Sequence, residues 1–148
     1  MSDLVNSIKV SLRERDEILS GTIFLRDYIK SWVVVVNAGG NNYEQIRNLN
    51  IAKELAKEGH ATLLIDLLSK EEEASLENRS NLVLLSERLL IATKWLLGSK
   101  YYRDHKAIGY YGANIGAAVA VIRAANSPAN ISVYAIVSHS GRLDMVDD

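Results

Sequence analysis

Apolar and polar residues alternate from Ile8 to Leu12, the charged cluster Arg13 to Glu17 interrupts, and a second β-like stretch containing Gly21 runs from Ile18 to Leu25. This predicts an N-terminal β-hairpin. Alternation then gives way to the β-branched run Trp32-Val33-Val34-Val35-Val36, which suits a central strand buried on both faces of a parallel sheet. The polar, glycine-containing Asn37-Ala38-Gly39-Gly40-Asn41-Asn42 breaks that strand. Ile46, Leu49, Ala52, Leu55 and Ala56 then recur at helical spacing until Gly59. The unit repeats: Ala61 to Ile65 reads as a buried strand closed by Asp66, a long polar loop follows, and Leu82 to Leu97 forms the clearest helix, with Leu85, Leu89, Ala92 and Leu96 on one face. Ala107 to Tyr111 is the next strand, Ala117 to Ala125 the next helix, and Ile131 to Val137 the last strand, with Pro128 in the loop between. Alternating strands and helices indicate an α/β fold with a doubly wound, mainly parallel sheet covered by helices on both faces.

At 148 residues the chain has room for one compact domain, taken as residues 1–148, with no linker and no internal repeat. A hydrophobic share of 48% argues against disorder, and a formal net charge of -1 offers no field for a polyanion, so nucleic acid is not an expected partner. Cysteine is absent, which excludes thiolate chemistry and cysteine-based metal sites, and His60, His105 and His139 show no ligand spacing. The run Glu71-Glu72-Glu73 has no further ligand spaced for a metal and reads as a solvated or helix-starting face. No stretch has the make-up of a leader or the length of a membrane span, so the expected location is the cytoplasm and no membrane contact is expected.

The chemically informative stretch is Gly112-Ala113-Asn114-Ile115-Gly116, between the strand ending at Tyr111 and the helix starting near Ala117. A strand turning sharply into a helix strains the central residue. Small residues two before and two after relieve the crowding, and the helix N-terminus behind points N–H groups at any oxyanion formed there. Several segments besides this one are similar to the α/β-hydrolases of the dienelactone hydrolase type, particularly a bacterial branch found alone or joined to phosphoribosyltransferase domains. They are Ala61-Thr62-Leu63-Leu64-Ile65-Asp66-Leu67-Leu68, Glu71-Glu72-Glu73, Leu84-Leu85-Ser86-Glu87-Arg88-Leu89, Gly109-Tyr110-Tyr111-Gly112-Ala113, Gly116-Ala117-Ala118, and Ser138 with Gly141-Arg142 and Asp144. The resemblance runs roughly from Val33 to Met145. It implies an ester- or lactone-cleaving ancestry, no cofactor, and an oxyanion pocket built from the backbone of Gly39 or Gly40 together with Ile115.

Two departures weaken the expected activity. Where the family has Ser or Cys at the turn, this chain has Asn114, and a carboxamide cannot be converted by a neighbouring base into an attacking alkoxide or thiolate. The loop after the first central strand opens with Asn37-Ala38 where the family has His-Gly. A third departure is downstream: Asp144 falls where some members place the acid, no histidine follows it, and His139 reads as a loop residue near the pocket mouth. The expectation is therefore a hydrolase-like domain lacking its C-terminal strands and catalytically inactive. Its edge strand 131–137 should recruit a second copy or a completing chain.

Other readings remain open. A non-catalytic module lined by Asn37, Asn41, Asn114 and His139 would hold a small ester, lactone or carboxylate ligand, because a carboxamide both donates and accepts. Nucleotide binding is suggested by Gly39-Gly40 before a helix and Asp66 after the next strand, but Asn41 and Glu44 stand where further glycines are needed. An aspartate in place of Asn114 would suit alkyl-carbon attack of the dehalogenase kind.

Overall fold

The computed structural model describes residues 4–39 and 41–146. The hairpin forms as the alternation predicts: β1 (Asn6–Glu14) pairs antiparallel with β2 (Glu17–Leu25). Beyond it the chain alternates through β3 (Ser31–Asn37), α1 (Asn42–Lys57), β4 (His60–Asp66), the short helices α2 (Lys70–Glu73) and α3 (Leu76–Arg79), α4 (Leu82–Leu97), β5 (Ile108–Ala113), α5 (Ile115–Ala125) and β6 (Val133–His139). A 3-10 turn follows at Leu143–Met145. The sheet order is β1-β2-β4-β3-β5-β6, with β4, β3, β5 and β6 parallel and β2 antiparallel to β4. The valine-rich run therefore occupies a central strand.

Residues of β3 divide between the faces by their period of two. Trp32, Val34 and Val36 join Leu63, Ile65, Leu85, Leu89, Ala92, Leu96 and Val119 in the larger core, under α4 and α5. Val35 turns the other way and meets Phe24, Ala52, Ala56 and Tyr111 under α1. Each fully buried leucine contributes about 2 kcal/mol, so the face that α4 supplies with three of them dominates the packing. α4 starts and stops where its signals stand, with the Asn81 side chain accepting from Leu84 N at 3.1 Å and Gly98 after the last turn.

The last strand begins two residues later than the apolar run suggests. Ile131 N donates to Pro128 O at 2.9 Å, which holds Ile131 in the turn after the proline, and pairing with β5 starts only at Val133 opposite Ile108. Ile131 is buried as a loop side chain, not as part of the strand. In the long polar loop, α2 and α3 are too short to leave a periodic signal, although Ser69 and Glu72 form a capping box that starts α2 at the acidic run. No described helix is long and apolar enough to cross a membrane.

Candidate functional site

β5 ends at Ala113 and α5 begins at Ile115, so the chain changes direction at one residue. Asn114 takes φ 54° and ψ −122°, a sparsely populated conformation costing about 1–3 kcal/mol. The surrounding backbone imposes it. Asn114 N donates to His139 O, and Asn114 O accepts from Ala117 N and Arg142 N, all at 3.1 Å. Gly112 is demanded by the same bend, because a Cβ there would lie 2.3 Å from Gly116 O and 2.7 Å from Ala117 N. The matching expectation for Gly116 needs correction: a Cβ there would meet Val36 Cγ1 and O at 3.5 Å, ordinary contact. Gly116 is the backbone that crowds Gly112, and its own lack of a side chain relieves nothing.

Beside this turn opens a cleft of about 210 Å³, at the C-terminal ends of β3 and β5. It is lined by Asn37, Gly39, Asn114, Ile115 and Gly116 from the sequence-derived set, and also by Glu44, Arg47, Asn48 and Arg79. Gly40 lies outside the described residues. Asn114 does not cap α5; its Nδ2 donates instead to Glu44 Oε1. The first N–H groups of that helix, on Ile115 and Gly116, have no intrahelical acceptor, and both residues line the cleft. Glu44 is doubly engaged, since its Oε2 accepts from Asn41 N at 3.0 Å while Asn41 Oδ1 caps Glu44 N at 2.9 Å. This capping box commits Asn41 to the start of α1, so Asn41 is not part of the cleft wall.

Asn37 is present in the wall, with both ends of its carboxamide hydrogen-bonded inside the protein. Its Nδ2 donates to Asp66 Oδ1 at 2.6 Å and its Oδ1 accepts from Asn48 Nδ2 at 3.3 Å. Burial pushes the Asp66 carboxyl above its ordinary range, against the opposing hydrogen bond from Asn37. Burial and the Asp66 charge push Glu73 up as well, partly offset by Arg79 and Lys70. Arg47 is the least satisfied polar group of the cleft: its Nη2 makes one long 3.5 Å contact to Asn48 Oδ1, and its buried Nε has no hydrogen-bond partner. Its charge opposes the upward push that burial gives the Tyr111 hydroxyl. Arg79, which also lines the cleft, donates through Nε to Glu73 O at 2.7 Å.

The two downstream candidates do not join this cleft. His139 ends β6 as an exposed residue whose contribution to the turn is its backbone carbonyl. Asp144 pairs with Arg142 through two 3.1 Å bonds on the surface, and that guanidinium holds its carboxyl below the usual range. Glu44, Arg47, Asn48 and Arg79 were not singled out by sequence reasoning. The Asn41–Glu44 spacing is a legible capping box, and Arg47 and Asn48 lie three and four residues further along the same helix face. Arg79 reaches the cleft through the loop and leaves no such signal. Among the described residues no cluster of three or more His, Cys, Asp or Glu is arranged to hold a metal.

No protein-family model matches the chain. Two Mycobacterium tuberculosis proteins, from strains CDC 1551 and H37Rv, are each 35% identical over 130 residues, 88% of this chain. Both are provisionally named phosphoribosyl transferases, and the chain spans only 29% of their length. Among solved structures, a dienelactone hydrolase from Anabaena variabilis superposes with a TM-score of 0.81 at 33% identity, over 95% of this chain and 66% of that one. A dienelactone hydrolase-like promiscuous phosphotriesterase from metagenomic libraries superposes with a TM-score of 0.70 at 21% identity, over 93% and 59%, and speaks for the fold alone. The order of strands, the bend at Asn114 and these likenesses agree: the chain belongs to the α/β-hydrolase superfamily, in its dienelactone hydrolase-like branch.

Proposed function

We propose that this domain descends from ester- or lactone-cleaving hydrolases and uses its cleft to bind a small carbonyl or carboxylate compound without cleaving it. One observation carries the reading. The bend that would serve as a nucleophile elbow holds Asn114, whose carboxamide is tied to Glu44. Nitrogen delocalised into a carbonyl is no attacking group, and a carboxylate beside it cannot make it one. With His139 exposed at the sheet end and Asp144 engaged by Arg142, no histidine stands within the cleft to act as a base. What survives is recognition: the N–H groups of Ile115 and Gly116 suit a carbonyl oxygen, and Arg47 suits a carboxylate.

The test is incubation with p-nitrophenyl acetate and, separately, with a fluorophosphonate probe. Neither turnover above the buffer rate nor covalent labelling is expected, and Asn114→Ser is expected to leave the rate at background because no base is in place. A labelled residue in the native chain, or a hydrolase-like rate in the Asn114→Ser variant, overturns the reading.

A further inference from the structure

The bend at Asn114 sets the backbone in an uncommon relation to that residue's own side chain. In an L-residue the bond to Cβ lies about 120° from the bond to N around the Cα–C axis. At ψ −122° the nitrogen of Ile115 therefore eclipses Cβ of Asn114. Helical backbone, with ψ about −42°, and extended backbone, with ψ about +135°, both turn that nitrogen away from Cβ. Here a single torsion, about Cα–Cβ, separates the Ile115 nitrogen from the side-chain carbonyl carbon, Cγ. Hydrogen bonds at Asn114 N and O hold the bend in place, so an arrangement that a loose chain visits rarely is standing in this one.

Further observations bear on the same two atoms. The Ile115 N–H belongs to the first residue of α5 and donates to no acceptor among the described residues, so no helix bond holds its proton. The oxygen of the peptide that joins Asn114 to Ile115 accepts from both Ala117 N and Arg142 N at 3.1 Å. Loss of the Ile115 proton places negative charge on that oxygen, and two donors already aimed at it stabilise the charge. Asn114 and Ile115 both line the open cleft, where water can take the proton, and Glu44 holds the carboxamide nitrogen that would leave.

We propose that Asn114 is a self-modification site, at which the nitrogen of Ile115 closes onto Asn114 Cγ. Water takes the Ile115 proton, the N–Cγ bond forms, the Cγ–Nδ2 bond breaks, and the carboxamide nitrogen leaves as ammonia with a proton returned from water. The product is a cyclic imide spanning residues 114 and 115. A water molecule then adds across the bond just formed, which restores the Ile115 N–H and leaves an aspartate at position 114. Its carboxylate faces Glu44, so two like charges replace the present hydrogen bond. None of this depends on what the cleft binds. Ile115 is branched at Cβ and crowds its own nitrogen in every state of the chain, so the unfolded chain reacts slowly and gives a low background.

The experiment is prolonged incubation of the full chain at physiological temperature in mildly alkaline buffer, folded in one arm and unfolded in guanidinium chloride in the other. Circular dichroism at the start and the end checks that the first arm stays folded. Trypsin then releases residues 107–123, a peptide whose only asparagine is Asn114, and its mass is read. Position 114 should convert at least about tenfold faster in the folded arm, because the fold supplies the reactive arrangement in advance. The folded arm should also pass through a species lighter by one ammonia. Hydroxylamine, which splits a chain at a cyclic imide, should release from it a fragment beginning at Ile115. An equal or slower rate in the folded arm overturns the proposal. So does conversion to aspartate with neither the ammonia-loss species nor the hydroxylamine cut, which would mean that water attacks the carboxamide directly.

Discussion

A single residue type decides the bend between β5 and α5, and the two glycines flanking it are unequal. At Gly112 an added methyl strikes backbone atoms, which cannot rotate away, so the strand or the helix must shift. Gly112→Ala should destabilise the fold by about 3 kcal/mol or more. At Gly116 the same methyl finds ordinary contact distances against Val36 in a helical position where alanine is favoured. Gly116→Ala should therefore change stability by less than about 1 kcal/mol. Urea denaturation of the two variants checks the contrast, and equal losses would mean the bend is relieved symmetrically after all. The pattern of two glycines was visible in the sequence. Which of them the bend requires was not, because the crowding comes from the Gly116 carbonyl folding back over Gly112, a tertiary relation no spacing encodes.

At the scale of elements, strong periodicity was legible and short structure was not. The valine run of β3 and the leucine face of α4 declare themselves because burial on one or both faces leaves a repeating mark. The four-residue helices α2 and α3 leave none, yet α2 carries the ion pair that fastens the polar loop to the core. Arg88 Nη1 and Nη2 reach Glu72 Oε1 and Oε2 at 2.7 and 2.8 Å, and Nη1 also reaches Leu67 O at 3.3 Å. With side chains 8% and 14% exposed, the pair is shielded from solvent. The Arg88 guanidinium holds the Glu72 carboxyl below its ordinary value of 4.5. A carboxylate with a depressed folded pKa binds fewer protons in the native state, so its contribution is full above the unfolded value and is lost as pH falls through the folded one. Glu72→Gln keeps the capping box and should cost about 2 kcal/mol at pH 7. The deficit relative to the native chain should shrink on acidification below 4.5, as native Glu72 also protonates. Asp66 and Glu73, whose raised pKa values work in the opposite direction, act equally in both proteins and cancel from the comparison. Thermal melts across that range provide the check, and a deficit independent of pH would assign the loss to packing.

Among the described residues the sheet has two edges of contrasting character. β1 carries Lys9, Arg13 and Glu14 along its length, and charges of this kind discourage strand addition. β6 reads Val-Tyr-Ala-Ile-Val-Ser-His, without Lys, Arg, Asp, Glu, Pro or Gly, and pairs on one side only among the described residues. Its side chains are bare on both faces, with Tyr134 74% and Val137 56% exposed. α5 packs chiefly against β5, and α1 lies over β2, β3 and β4. An antiparallel meeting of two β6 strands centred on Ile136 would set Tyr134 opposite Ser138 and Ala135 opposite Val137, with no like charges opposed. The prediction for this edge is pairing with a second copy of the chain through a continuous sheet. Light scattering over a hundredfold range of protein concentration should show a rising mass. Val137→Lys should hold the protein as a monomer at every concentration, because the substitution adds a charge to an already exposed position of the strand, and its melting temperature at low concentration should match that of the native chain. A native chain that stays monomeric throughout would mean that this edge resists pairing without the charges that guard β1.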